Sequence, residues 1–255
     1  MFALMPKLRN LAALVAGATT LGGAAAWLTI RPWWHAWGVD PAEAVQPLAG
    51  DDVVPNAPVS DTRAITIDAP PSAVWPWLVQ MGFGRGGWYS YDVMDMKGRS
   101  AERILPEFQA LTVGDVVPTH PGGGFEVKAI EPGQALVLYL DTALVRADAE
   151  AAKADAAGTP DAETTPANLR AGGALMSVAQ PTEFAASWTF VIEPRGDDRT
   201  RLIERFRVRF DGGDQPWTTF TVPLMSFGVF AMVRRQLLGI KARVERNQPE
   251  ATVAG

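Results

Sequence analysis

The stretch Asp68-Ala-Pro-Pro-Ser-Ala-Val-Trp-Pro-Trp-Leu-Val-Gln-Met-Gly-Phe-Gly-Arg-Gly-Gly-Trp-Tyr-Ser-Tyr-Asp92 decides the fold. Its two consecutive prolines end a strand and favour the start of a helix. From Ala73 to Met81 the apolar residues recur at spacings of three and four, which predicts an amphipathic helix with Trp77 on its apolar face. A glycine-rich loop loaded with aromatic residues follows. No known catalytic motif accompanies the stretch, so it indicates a hydrophobic pocket more than a reaction.

Composition narrows the classes of partner and chemistry. The chain has 255 residues, of which 47% are hydrophobic, and this suffices for one sizeable domain with an accessory segment. A net charge of −5 argues against nucleic acid as the partner. The chain has no cysteine, which excludes disulfides and thiol nucleophiles. His35 and His120 are the two histidines and cannot form a multi-histidine metal site, so we expect no metal and no cofactor.

Residues 1–38 are predicted to form a membrane anchor. The run from Leu11 to Ile30 has no charged residue and is about as long as a helix needs to cross a bilayer. The tryptophans of Arg31-Pro-Trp-Trp-His-Ala-Trp37 predict an aromatic belt at the membrane interface. Basic residues before the run predict a single-pass protein with a cytoplasmic N-terminus and an extracytoplasmic domain. The alternative is a cleaved export signal with Ala24-Ala25-Ala26 at the cleavage site, and an exported product.

The rest of the chain divides into a linker, one mixed domain and a tail. The linker, residues 39–61, is rich in Pro, Asp and Ala; the domain covers residues 62–247, and the tail residues 248–255. Period-two alternation predicts six strands. A long helix is expected to begin at Pro223 and to continue to Val244. The predicted strands are Thr62–Ile67, Asp115–His120, Phe125–Glu131, Gln134–Leu140, Phe184–Glu193 and Thr200–Asp211.

An insertion, residues 141–183, interrupts the domain between two strands. It contains seven acidic and three basic residues and has low hydrophobicity, which is typical of a solvated insertion. Two functional alternatives remain open, a lid over the pocket and a surface that recruits a protein partner.

The order of strand, helices, further strands and a long terminal helix predicts an α+β fold. An antiparallel sheet with one hydrophobic face must cover that face. A single C-terminal helix laid across a curved sheet covers it, and we expect a cavity between the two.

Two segments resemble a known superfamily. The opening Asp68-Ala-Pro-Pro-Ser-Ala-Val-Trp75 after a short strand resembles START-like (SRPBCC) proteins, which include START, birch-pollen-allergen-like and polyketide cyclase/dehydrase proteins. The run from Gln80 to Asp92, with Val113-Gly-Asp115 following, is similar to a membrane-anchored bacterial branch. The resemblance covers Thr62 to Arg246. It implies the helix-grip fold and a cavity for a lipid, sterol, polyketide or other apolar ligand, and some members are cyclases or dehydratases.

Gly82-Phe-Gly-Arg-Gly-Gly87 matches the pattern G-x-G-x-x-G. A dinucleotide site needs this pattern between a strand and the N-terminus of a helix. Here it follows a predicted helix, so we expect no nucleotide. The glycines are expected to supply unusual backbone angles in a tight loop.

Aromatic and apolar side chains on the predicted inner surfaces are the candidates for ligand binding. Trp88, Tyr89 and Tyr91 either line the mouth of the pocket or close the end of the core. Arg85 either binds a ligand carboxylate or pairs with Asp92. The candidate ligand-binding residues are Trp77, Met81, Arg85, Trp88, Tyr89, Tyr91, Trp188, Phe190, Phe206 and Phe227.

One acidic residue stands out in the alternation of the last strand. Glu204 shares a face with Leu202 and Phe206, whereas the opposite face carries a row of arginines expected to face solvent. A carboxyl in an apolar cavity tends toward a raised pKa and could act as an acid or a base; alternatively, Glu204 pairs with an arginine. The weak catalytic candidates are Glu204, Asp92 and Tyr91.

These patterns support two hypotheses. The first is a membrane-tethered domain that binds a hydrophobic or amphipathic small molecule, such as a lipid or a polyketide-like compound, between sheet and helix. The alternative is an enzyme of polyketide-cyclase or dehydratase type that uses an acid or base in the pocket.

Overall fold

The fold is one antiparallel sheet whose two longer helices lie on the same face. The computed structural model describes residues 33–92, 99–120, 123–147, 150, 183–210 and 218–248. The strands are β1 (Val59–Ile67), β2 (Val116–His120), β3 (Gly123–Glu131), β4 (Ala135–Asp141), β5 (Phe184–Pro194) and β6 (Thr200–Phe210). The helices of the described residues include α1 (Pro41–Val45), α2 (Pro71–Val79) and α3 (Thr218–Arg246), with a 3₁₀ turn at Pro106–Phe108. The six strands follow the order β1-β6-β5-β4-β3-β2.

The α+β class is confirmed, and the six-stranded antiparallel sheet with a C-terminal helix is consistent with the predicted helix-grip fold. The six strands coincide with the predicted runs to within a few residues. β1 begins earlier than predicted, because Val59 already pairs with Val208 of β6. α3 begins before Pro223, which lies inside the helix. A proline there removes only one hydrogen bond of a helix of 29 residues.

The inner face of the sheet carries the hydrophobic core. α3 packs on β1 and α2, and α2 packs on β5. The predicted apolar face of α2 is confirmed, since Val74, Trp77 and Leu78 of α2 and the following Met81 are all buried. Strand alternation turns Leu202, Ile192 and their neighbours toward the helices.

The outer face is covered by the segment that composition assigns to a linker. Val54 is fully buried there, and Gly50 lies against Val137 and Thr189. Apart from the exposed Arg209, the arginine row of β6 does not face open solvent as expected, because this segment lies over it. Arg205 is 3% exposed and donates hydrogen bonds to the backbone of α1 and to Asp51.

The aromatic belt predicted before the linker belongs to the folded domain from residue 33 onward. Trp34 is 1% exposed, and its ring lies 5.4 Å from that of Phe227 on α3. Trp37 contacts Phe230 at 6.4 Å. The helix supplies these indoles with an apolar partner, so Trp34 does not need a lipid interface.

Several predicted segments lie outside the described residues. They include the apolar run 11–30, most of the insertion 141–183 and nearly all of the tail. In the part of the chain that the structure describes, no helix combines the length and hydropathy required to cross a membrane.

Candidate ligand-binding site

The inner face of the sheet is closed at one end and incompletely covered at the other. Leu202 and Glu204 near the start of β6 are fully buried, whereas Phe206 and Val208 further along the same face are partly exposed. On the neighbouring strand, Trp188 is also partly exposed. The helices therefore leave apolar surface accessible toward the C-terminal end of β6.

An aromatic cluster occupies this boundary, with Trp188 at its centre. Trp88, from the loop after α2, stacks on Trp188 at 5.3 Å and 16°. The cluster includes side chains of β3, β5 and β6. Its other members are Phe125 at 5.6 Å, Phe190 at 5.2 Å and Phe206 at 6.1 Å from Trp188.

Beside the aromatic cluster lies a buried group of three charges. Arg63 on β1 stands opposite Glu204 in the strand register and donates to its Oε2 at 3.2 Å. The same guanidinium donates to Asp61 Oδ2 at 2.7 Å. All three side chains are at most 2% exposed. One cation thus serves two carboxyl groups inside the core.

This imbalance sets the protonation of Glu204. Burial raises the pKa of Glu204 to about 7, and the nearby Asp61 carboxylate acts in the same direction. Arg63 and the Trp188 indole N–H oppose the rise. Near neutral pH this carboxyl therefore exists in both protonation states.

The charged group is connected to the surface through the N-terminal segment. Arg63 Nε donates to the carbonyl of Trp34 at 3.1 Å. Asp61 forms a hydrogen bond with the His35 imidazole, which is 26% exposed. Asp61 also accepts from Ser226 Oγ of α3 at 3.3 Å. The three charged side chains thereby connect β1, β6, α3 and the chain entering the domain.

Two buried polar atoms next to the aromatic cluster form no hydrogen bond of ordinary geometry. They are Glu204 Oε1 and Trp188 Nε1. The indole N–H is close enough to lower the pKa of Glu204, yet the pair falls short of a proper hydrogen bond. Unsatisfied buried groups are costly, so this position favours a ligand atom that completes the bonding.

Arg85 is committed to the backbone. Its guanidinium donates to the carbonyls of Val79 at 2.9 Å, Met81 at 3.0 Å and Phe108 at 3.3 Å. It also lies 4.8 Å from the centre of the Phe108 ring. The structure therefore gives Arg85 a role at the C-terminal end of α2, and pairs it with neither Asp92 nor the aromatic cluster.

Three other candidates are core residues. Tyr89 is 1% exposed, donates from its hydroxyl to the Trp77 carbonyl at 3.1 Å, and contacts the Trp77 ring at 5.7 Å. Met81 is fully buried, and its sulfur accepts from Gln236 of α3 at 3.6 Å. In the loop after α2, Tyr89 therefore closes the end of the core and does not line a pocket mouth.

The remaining candidates lie nearer the surface. Tyr91 is 45% exposed and Phe227 is 44% exposed. Asp92 is exposed and accepts from the backbone and hydroxyl of Ser100, each at 3.2 Å. The structure thus brings Trp88, Trp188, Phe190, Phe206 and Glu204 together, and it gives Asp92 a local structural contact.

Asp61, Arg63, His35 and Ser226 were not predicted. The detectable signal was the alternation of Asp61 and Arg63 with Ile65 and Ile67 on one face of β1. An acid and a base on that face indicate a buried pair. Composition instead places Asp61 in the linker, so the predicted strand begins at Thr62, one residue too late to include this acid.

The glycine loop closes on itself. Gly82 and Gly87 exchange backbone hydrogen bonds of 3.1 Å, and both have positive φ, as expected for a tight turn. The amides of Phe83, Arg85 and Gly86 donate to carbonyls of the protein. These N–H groups are therefore not directed at a phosphate.

Two surface depressions lie away from the aromatic cluster. One, of about 560 Å³, is lined by Gly38, Glu43 and three arginines that include Arg201. The other, of about 430 Å³, lies between Tyr139 and Arg209 beside the ends of the insertion. Across the described residues, no group of three His, Asp or Glu side chains is placed to hold a metal ion.

Comparisons with known proteins give distant structural likenesses. No family model matches the chain, and no curated protein matches it. Similar solved structures include a Polyketide_cyc-like protein of Corynebacterium glutamicum, at 14% identity and a TM-score of 0.37 over 76% of this chain and 96% of that chain. A protein of Mesorhizobium loti has 15% identity and a TM-score of 0.36 over 74% and 99%. Likenesses at this level assign neither a family nor a function.

Proposed function

We propose that the chain is a membrane-tethered, START-like protein that binds a hydrophobic or amphipathic small molecule between the sheet and α3. The observation that carries the proposal is the partly exposed aromatic cluster on the inner face of the sheet. A face that served only as core would be covered throughout, as it is around Leu202 and Ile192. The motif after β1 and the order of elements add support, and the tether rests on the apolar run 11–30.

The aromatic cluster specifies an apolar ligand body with one polar group. Aromatic pairs contribute about 0.5–1.5 kcal/mol beyond the area they bury, so a flat or chain-like apolar body gains by contacting Trp88 and Trp188. Glu204 Oε1 and Trp188 Nε1 offer a ligand an acceptor and a donor at adjacent positions. An uncharged hydroxyl or carbonyl group fits this pair, because a ligand carboxylate would face Glu204 and Asp61.

Titration with N-phenyl-1-naphthylamine, a neutral fluorescent apolar probe, tests the site. We expect Trp188→Ala to weaken binding about tenfold, since losing one ring contact removes roughly 1.4 kcal/mol. Trp188→Phe retains a ring in the core and should lose less. Tyr139→Ala, which removes a ring from the outer face of the adjacent strand, is the matched control. Equal affinity in wild type, both Trp188 variants and the control would contradict the proposed site.

The tether is tested separately from the ligand. Mass determination of the protein isolated from membranes distinguishes an intact N-terminus from one that begins after residue 26. Retention in the membrane pellet after alkaline carbonate extraction supports the tether. A shortened chain in the soluble fraction supports the exported alternative.

An enzyme of polyketide-cyclase or dehydratase type is the second candidate. It is favoured by the pKa of Glu204 near 7, which suits a group that must both accept and donate a proton. Glu204 would remove a proton from the carbon next to a ligand carbonyl. It would then return that proton to the hydroxyl group that leaves as water. Loss of water from a poly-β-ketone thioester, followed by mass spectrometry, tests this reaction. Full turnover by Glu204→Gln would remove Glu204 from the mechanism.

A further inference from the structure

The first half of α3 exposes apolar side chains on its outward side. No charged residue occurs from Thr218 to Val233. Leu224 is 67% exposed, Phe227 44% and Met232 40%. They lie on one side of the helix, opposite the buried Ser226 and Val233. Such a surface costs free energy in water unless it is covered.

A residue distant in sequence extends the same surface. Trp33 is 52% exposed, and its ring lies 5.0 Å from Phe230 of α3. The buried Trp34 beside it contacts Phe227 at 5.4 Å. We call Trp33, Leu224 and Phe227 the apolar tip. It is built from two segments, which distinguishes it from an isolated exposed residue.

Cations border the apolar tip. Arg234 and Arg235 are exposed and are the first charged residues of α3 after the uncharged stretch. Arg234 lies 5.2 Å from the centre of the Trp37 ring, which holds it beside the N-terminal segment. An apolar surface bordered by basic residues is typical of proteins that bind membranes containing anionic lipids.

The path of the chain favours a lipid bilayer, and not a second copy of the chain, as the partner that covers the apolar tip. The apolar run ends at Ile30, and three residue steps, about 10 Å at full extension, separate it from Trp33. A bilayer-spanning run therefore keeps the apolar tip at the membrane surface. A second copy of the chain would place its own Arg234 and Arg235 near those of the first, which is less favourable.

The exposed part of the binding site lies toward the same end of the domain. Ser226 in the first half of α3 donates to Asp61 of β1, which stands opposite the partly exposed Phe206 in the strand register. We propose that the apolar tip docks on an anionic lipid surface, so that the open end of the sheet–helix space faces the bilayer. The ligand would then be a molecule resident in the membrane. Both this orientation and the choice of a lipid surface as the partner rest on the tether proposed above.

The absence of cysteine makes a direct test feasible. Single cysteines replace Leu224, Phe227 or, as the control, Asp197 in the exposed turn between β5 and β6. Each full-length variant carries the environment-sensitive fluorophore NBD and is reconstituted at one copy per nanodisc, in phosphatidylcholine with or without phosphatidylglycerol. We expect blue-shifted emission and quenching by spin-labelled lipids at 224 and 227, but water-like, unquenched emission at 197.

Reversing the charge of the two arginines beside the apolar tip provides a second test of the docking. Arg234→Glu with Arg235→Glu should reduce the quenching at 227 in anionic discs and change it little in neutral discs. Water-like emission at 227 in anionic discs would overturn the proposal. A blue shift without lipid quenching would identify a protein contact and would equally overturn it. Binding of the naphthylamine probe in detergent is measured separately, so failure of docking and failure of the ligand site give different results.

Discussion

The buried charges explain why Glu204 does not behave as an ordinary carboxyl. Arg63 pairs with both Asp61 and Glu204, so these three side chains carry a net charge of −1 when both acids are ionised and of zero when Glu204 is protonated. Burial penalises a net charge strongly. Protonation of Glu204 is therefore the least costly way to neutralise the group, in agreement with its raised pKa.

The raised pKa makes stability depend on pH in a defined direction. The native state holds the Glu204 proton between the ordinary value of 4.5 and about 7, whereas the unfolded state releases it. The free energy of unfolding should therefore fall as the pH rises through this window, by on the order of 2–3 kcal/mol. Glu204→Gln mimics the protonated carboxyl and should remove this component. Urea denaturation at pH 5, 6, 7 and 8 measures it.

The exposed Glu107 provides the control for this titration. Glu107→Gln should leave the difference between pH 5 and pH 8 as in the wild type. If Glu204→Gln and the wild type lose stability in parallel across these four pH values, Glu204 does not titrate in the window.

Arg63 should tolerate substitution poorly. Arg63→Met leaves Asp61 and Glu204 without their cation and should lower the free energy of unfolding by about 3–5 kcal/mol. Arg63→Lys retains the charge but not the planar fork that reaches Trp34, Asp61 and Glu204 together, so it should lose less. Thermal unfolding compares the two variants.

A double variant makes this prediction sharper. Adding Glu204→Gln to Arg63→Met removes one of the two uncompensated acids, so the double variant should recover part of the lost stability. Simple additivity of the two single effects would show that Arg63 and Glu204 are not coupled.

At the residue scale, sequence finds the buried acid but not its partners. Period-two alternation placed Glu204 on the apolar face of β6, because side-chain direction along a strand is fixed by geometry. The register that sets Arg63 opposite Glu204 depends on how β1 and β6 pair across 141 residues, which no local pattern encodes. Arg85 shows the same limit, since its carbonyl acceptors become visible only once α2 ends against Phe108.

Among the elements, α3 packs tightly against the loop after α2 at Gly239, which lies beside the Tyr89 backbone. A Cβ at Gly239 would lie 2.0 Å from the Tyr89 carbonyl oxygen, and backbone cannot yield as a side chain can. Gly239→Ala should therefore shift α3 and lower stability by several kcal/mol, on the order of other overpacked core sites. Gly228→Ala in the same helix meets nothing within 4 Å and should stabilise by about 0.5–1 kcal/mol.

This pair of variants separates contact from helix propensity. Both replace glycine by alanine within α3, so a purely local effect would stabilise both. Thermal unfolding of the two variants, followed by circular dichroism, distinguishes an effect of the Tyr89 contact from an effect of helix propensity. Equal stabilisation would mean that α3 does not contact the loop at Tyr89 in solution.

The end of α2 should depend on Arg85 for stability and not for ligand recognition. Arg85→Ala frees the carbonyls of Val79, Met81 and Phe108 and should cost about 1–3 kcal/mol. Affinity for the naphthylamine probe, measured below the melting temperature of the variant, should stay within twofold. A loss of affinity for carboxylate-bearing probes alone would instead support the ligand-binding role.

At the scale of the whole molecule, the sheet is covered on both faces by different chemistry. α2 and α3 cover the inner face with apolar side chains, whereas residues 38–57 cover the outer face through hydrogen bonds to the arginine row. The sequence predicts the helices on the inner face from their periodicity. It does not predict that residues 38–57 pack on the outer face, because a segment rich in Pro and Asp shows no periodicity and is held in place by contacts with distant arginines.

One substitution should detach residues 38–57 from the outer face of the sheet. Arg205→Ala removes the donor to the carbonyls of Glu43, Ala44 and Gln46 and leaves Asp51 without its closest cation. Hydrogen bonds to a charged group contribute about 1.5–3 kcal/mol, so amide exchange in residues 42–54 should accelerate at least tenfold. Amides between β4 and β5 should keep their protection, since α2 and α3 still cover the inner face.

Arg209→Ala, an exposed position on the same face of β6, is the control. Unchanged exchange at residues 44, 46 and 53 in Arg205→Ala would mean that the segment is held by its apolar contacts at Gly50 and Val54 and not by the arginine row.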